Sequence, residues 1–88
     1  MAAKGAKQSV IVRKTLARTR AQAERIARRH ADRIYTSREQ KGEWRFRQRP
    51  PDCFVENTFR RFCVPPKGEV CIVYGRLKPG AERRKACR

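Results

Sequence analysis

Arginine is the residue type through which this chain could do chemistry. Between Glu43 and Gln48 it alternates with aromatic residues, so that Trp44 and Phe46 fall on one face of an extended strand and Arg45 and Arg47 on the other. Arg61, in a later strand, joins the cationic face. Further cations gather on a helical stretch as Arg25, Arg28 and Arg29 and near the C-terminus as Arg83, Arg84 and Lys85. A guanidinium is a permanent cation with five donors in a planar fork, suited to phosphate and carboxylate oxygens. These residues offer electrostatic contact with an anion, not bond-making.

The charge balance points the same way. Lys and Arg number 24 against 8 Asp and Glu, a formal net charge of +16 over 88 residues, which is more self-repulsion than solubility requires. A polyanion would relieve it: nucleic acid (DNA or RNA) first, then a membrane surface or an acidic protein surface. Catalysis has no support. There is no paired-carboxylate site, metal-ligand cluster, glycine-rich phosphate loop or nucleophile motif, so neither an enzyme nor a cofactor is expected. His30, the sole histidine, lies in an apolar helical stripe and reads as a packed core or border residue.

Cysteines stand at 53, 63, 71 and 87. In a secreted chain an even number would suggest two disulfides, and Cys63 and Cys71 could face each other across a hairpin. The start of the chain leads into no signal-like apolar segment, and no apolar run approaches the roughly 20 residues needed to span a bilayer. A soluble intracellular protein without membrane contact, in the cytoplasm of a host cell, is therefore expected, and a reducing cytosol would leave free, half-buried thiols. Zinc is the sharper alternative, but close Cys-x-x-Cys pairs are absent.

The elements that must position the arginines follow from periodicity. Residues 1–8 read as a mobile basic arm. Ser9 to Arg13 is β-branched and suits a strand, or else the first turn of a helix. Thr19 with Gln22 matches a capping box, which starts a helix at Arg20 that runs to about Tyr35. Ala23, Ile26, Ala27, His30 and Ile34 form its docking stripe, while Arg25, Arg28, Arg29 and Asp32 face outward with the pairs Glu24/Arg28 and Arg28/Asp32 four apart. Thr36 to Gly42 is polar, ends in Gly and reads as a chain reversal. Strands follow at Glu43 to Gln48, Asn57 to Val64 and Val70 to Leu77. Arg49-Pro50-Pro51-Asp52 interrupts the sheet, with Phe54 folding back as an anchor.

Pro65 to Glu69 makes a hairpin. Centred on Lys67, it places Phe62, Val64, Val70, Ile72 and Tyr74 inward and Arg61, Cys63, Cys71 and Val73 on the opposite face, with Phe59 also on the cationic side. Pro79-Gly80 stops the domain and leaves 79–88 as a flexible basic tail. The expectation is a single α+β domain over 9–78, one amphipathic helix on a small antiparallel sheet of three or four strands in the order β-α-β-β-β, between flexible basic termini.

The run Trp44-Arg45-Phe46-Arg47-Gln48-Arg49-Pro50-Pro51, then Phe54, Thr58-Phe59-Arg60 and Val73-Tyr74-Gly75-Arg76-Leu77-Lys78, resembles a pattern in small uncharacterised basic proteins of phages and prophages. The resemblance covers about 35 residues and implies viral or prophage origin without a mechanism. Three functions fit. The first is a nucleic-acid binder with little sequence preference, using Arg45, Arg47, Arg61 and the basic tails. The second is a phage-encoded factor docking on an acidic surface of a host or phage protein complex, for example an anti-CRISPR-type inhibitor. The third is a minor virion component.

Overall fold

A computed structural model describes residues 5–88. Residues 1–4, half of the expected arm, lie outside them. Strands β1 (Gly5–Arg13), β2 (Thr36–Gln40), β3 (Glu43–Arg47), β4 (Arg60–Cys63) and β5 (Val70–Arg76) form one antiparallel sheet in the spatial order β2-β3-β1-β5-β4, with the single helix α1 (Arg20–Ala27) on one face. The domain is α+β as expected, with five strands in place of three or four and an extra strand after the helix.

The first strand is central, not appended. Gly5–Gln8, expected in the mobile arm, extend it, and it pairs with β3 on one side and β5 on the other. Val10 sits between Phe46 and Ile72, and Val12 between Trp44 and Val70. Those six side chains, with Ala17, Ala23 and Ala27, make the main core under the helix. Val10, Ile11 and Val12 are all buried, which is what a consecutive β-branched run in a doubly covered central strand requires. Trp44 closes the layer by donating its indole N–H to the Ala17 carbonyl at 3.0 Å.

The helix begins as the sequence predicts. Thr19 accepts from the Gln22 N–H while the Gln22 side chain accepts from the Thr19 N–H, a complete capping box. It ends at Ala27, eight residues in, and not near Tyr35. Tertiary bonds compete with the helical ladder beyond that point: the Asp32 N–H donates to Gln48 Oε1 at 2.6 Å and the Tyr35 N–H to the Arg47 carbonyl at 2.7 Å. The expected Arg28/Asp32 pair is replaced by contacts from Asp32 to Lys7 and Arg49, whereas Glu24 and Arg28 do pair, at 3.5 Å. His30 lies past the helix end, half-buried, and its carbonyl accepts from Lys7 Nζ.

Thr36 to Gln40, expected as part of a turn, is a strand. It contains no apolar residue to mark it, since as an edge strand it takes its place from backbone pairing with β3 through a tight turn at Lys41-Gly42, where Gly42 has φ 78°. The β4/β5 hairpin has the register centred on Lys67, with Cys63 opposite Cys71, Phe62 opposite Ile72 and Arg61 opposite Val73. Phe62 and Tyr74, expected inward, are nevertheless 55% and 37% exposed. The helix packs over β1 and β3 and leaves the far edge of its own side of the sheet open.

The expectation of free thiols is overturned. Cys53 is bonded to Cys87 and Cys63 to Cys71, leaving no free cysteine. The flexible tail over 79–88 is likewise corrected: Ala81–Arg83 and Lys85–Cys87 form 3-10 turns, and Ala81 and Cys87 are buried with Cys53 and Phe54 against Ala6 and Leu77. Phe54 is the expected anchor, 1% exposed. Its ring fills the space beside Gly75, where an added Cβ would lie 2.6 Å from a ring carbon.

Alkylation of the unreduced, denatured protein should label no cysteine, and labelling of any one would contradict the pairing. Gly75→Ala should cost about 1–3 kcal/mol in urea unfolding by overpacking against Phe54, and an unchanged midpoint would show that the ring has room to move.

Candidate nucleic-acid interface

The sheet face away from α1 carries the cationic residues. Strand alternation turns Arg45 and Arg47 outward while Trp44 and Phe46 point into the core, and the same alternation in β4 and β5 brings Arg61 beside Val73. Arg38, in a β2 whose polar sequence gives no strand signal, stands directly opposite Arg45. Like charges so placed repel across an antiparallel pair. Four arginines from three strands thus share one face, floored by the buried residues Ile11, Cys71 and Val73.

Their hydrogen bonds leave the positive charge largely uncompensated. Arg45 donates from Nε to Ser9 Oγ and from Nη2 to Gln8 Oε1, both at 3.1 Å and both neutral acceptors. A β-bulge at Lys7/Ser9 brings Gln8 and Ser9 there. Arg47 Nε is buried with no partner among the described residues. Arg61 alone reaches a carboxylate, Glu43, at 3.4 Å. Burial and then the Arg47 charge push the Arg45 guanidinium below its ordinary pKa, with Glu43 opposing and Arg61 and Arg38 adding to the shift. Gln8, Arg45, Arg47, Pro51, Phe59 and Val73 enclose a groove of about 280 Å³ on this face. An oxyanion in it would find donors already oriented by the strand.

The other expected site residues do not join this face. Arg25, Arg28 and Arg29 are exposed on or just after α1, on the opposite layer. Arg83, Arg84 and Lys85 are exposed in the C-terminal segment, where Arg84 lies 3.3 Å from Asp52. Two further arginines turn inward. Arg49 donates to the carbonyls of Cys87 (3.1 Å) and Lys7 (2.8 Å), and Arg33 to those of Gln48 and Lys85, both at 3.2 Å, and to that of Ala86. They fasten the C-terminal segment, with their donors occupied by backbone carbonyls. Lys14 is engaged as well: beside Trp44, it holds the Glu39 carboxyl below its ordinary range by hydrogen bond and charge.

Among the described residues no group of three or more His, Cys, Asp or Glu is placed to hold a metal ion, and no helix is long and apolar enough to cross a membrane. Comparison with protein-family models, with curated proteins and with solved structures finds no match to this chain.

If the arginine cluster is held together against its own repulsion, anions should stabilise it selectively. Sulfate is expected to raise the melting temperature of the wild type more than that of an Arg45→Gln/Arg47→Gln variant, at equal ionic strength. Equal shifts would reduce the effect to general exclusion of sulfate from protein surface.

Proposed function

We propose that this chain binds nucleic acid largely without sequence specificity, through the arginine face of its sheet, with Arg83, Arg84 and Lys85 adding peripheral phosphate contacts. The observation that carries the reading is the grouping of Arg38, Arg45, Arg47 and Arg61 on one sheet face with Glu43 as the paired carboxylate, in a chain of net charge +16. Phosphates at regular spacing answer such a surface, and the contact would be steeply salt-dependent because counterions are released on binding. The Arg25, Arg28 and Arg29 cluster on the other layer fits a solvated face or a second, weaker phosphate contact. The likeness of the Trp44 to Lys78 pattern to small phage and prophage proteins supports a viral or prophage origin.

The disulfides favour one more specific role. Bonds such as Cys53–Cys87 and Cys63–Cys71 persist in oxidising surroundings, virion surfaces among them, and not in a reducing cytosol. A minor particle component that contacts packaged genome would satisfy both the charge and the cysteines.

A binding series against a mixed-sequence duplex and a single strand at rising salt is the direct test. Affinity should fall steeply with salt, and Arg45→Gln/Arg47→Gln should weaken binding about tenfold and make the slope shallower by about two. A flat salt response, with a protein partner retained from nuclease-treated lysate, would instead assign the face to an acidic protein surface of the kind an anti-CRISPR-type factor would use.

A further inference from the structure

The side of the sheet that carries α1 has a second open surface, at its β5/β4 edge. Tyr74 and Phe62 face out there from adjacent antiparallel strands, 37% and 55% exposed. Phe62 is opposite Ile72 and Arg60 opposite Tyr74, so the two rings are diagonal neighbours on the ladder. Such diagonals are about 7–8 Å apart. Arg60 flanks the rings on one strand and Arg76 on the other, both exposed and both on the same face by alternation. Beside Tyr74 a groove of about 270 Å³ is lined by Gly5, Thr58, Arg60, Gly75 and Arg76. Two arginines and no carboxylate line it. The Cys63–Cys71 bond next to Phe62 fixes the register that keeps the rings together.

A core explanation does not account for these rings, because the helix does not extend over them. Self-association through the patch would bring together two chains of net charge +16 each. Aromatic rings on a sheet, spaced along neighbouring strands and flanked by guanidinium groups, match the chemistry of unstacked bases joined by phosphates: rings take the base faces and arginines take the backbone. A duplex cannot use them, since its base faces are already stacked on one another.

We infer that Phe62 and Tyr74 form a stacking platform for single-stranded nucleic acid, with Arg60 and Arg76 holding the flanking phosphates. The inference rests on the nucleic-acid reading but uses a different surface from the arginine face, so the two can fail separately. Affinities of the intact, disulfide-bonded protein for oligo-dT and for a duplex of equal length would be measured for the wild type, Phe62→Ala/Tyr74→Ala and Tyr74→Phe. Both aromatic positions are exposed, so the fold should survive, as circular dichroism would check. The double alanine variant should lose about tenfold or more for oligo-dT and less than twofold for the duplex, with Tyr74→Phe close to wild type. Crosslinking of bromodeoxyuridine-substituted oligo-dT should map to Phe62 or Tyr74.

Unchanged oligo-dT affinity in the double variant, or equal losses for both nucleic acids, would overturn the platform while leaving the arginine face in place. Concentration-dependent self-association abolished by Tyr74→Ala would also overturn it, by assigning the patch to a second copy. Failure of the wild type to bind either nucleic acid would remove both readings together.

Discussion

An eight-residue helix cannot cover a five-stranded sheet, and most of what is distinctive in this fold follows from that mismatch. At 1.5 Å per residue α1 is about 12 Å long, while five strands at about 4.8 Å spacing are about 19 Å wide. The helix shields β1 and β3, where Val10, Val12, Trp44 and Phe46 lie, and the rest of the sheet must be closed by other means or left open. Near Gly75 the opposite face is closed by Phe54 and the C-terminal turns. Elsewhere the open areas are the arginine face and the aromatic edge.

The closure depends on covalent and charge-assisted bonds because the segments involved have little apolar area. Ala81, Cys87, Cys53 and Phe54 make a small satellite core, and the Cys53–Cys87 bond ties together chain positions 34 residues apart. In the chain-entropy model, a loop of that length is worth about 4 kcal/mol. Arg33 and Arg49 add bonds to five backbone carbonyls, those of Gln48, Lys85, Ala86, Cys87 and Lys7. Hydrogen bonds from a charged donor contribute more than neutral ones, about 1.5–3 kcal/mol each against about 1. The same residue type therefore stands in two different settings in this chain. What separates Arg49 from Arg47 is the supply of carbonyl oxygens around the former and its lack around the latter.

That division explains what could be read from the sequence. The alternation of Trp44, Arg45, Phe46 and Arg47 assigns faces without ambiguity, since strand period is insensitive to the rest of the fold. The hairpin register is legible for a similar reason: the turn residues and the apolar positions around Lys67 agree. Thr36 to Gln40 is not legible, because an edge strand of polar residues has no amphipathic pattern, and its partner strand supplies the structure. The helix end is hidden too. His30 and Ile34 prolong the helical spacing even though the backbone around them has left the helix, with Asp32 bonded to Gln48 and Tyr35 to Arg47. Arg33, Arg49 and the C-terminal segment were legible only as charge, since neither the carbonyls they meet nor the Cys53–Cys87 pairing leaves a local signal.

An exposed aromatic pair beside an edge strand is ordinarily a route to aggregation, because free backbone groups and apolar rings together invite a second chain. Here the strand that carries Phe62 also carries Arg60 and Arg61, and its residues are exposed along the whole of Arg60–Cys63. Any copy approaching that edge meets two guanidinium groups as well as the field of the remaining cations. The charge that opposes the approach of a second copy is complementary to a polyanion, so the rings sit in a field that discriminates between classes of partner. Placing the aromatics at the more cationic of the two edge strands, away from the helix, sets guanidinium charge beside the rings that the helix leaves uncovered.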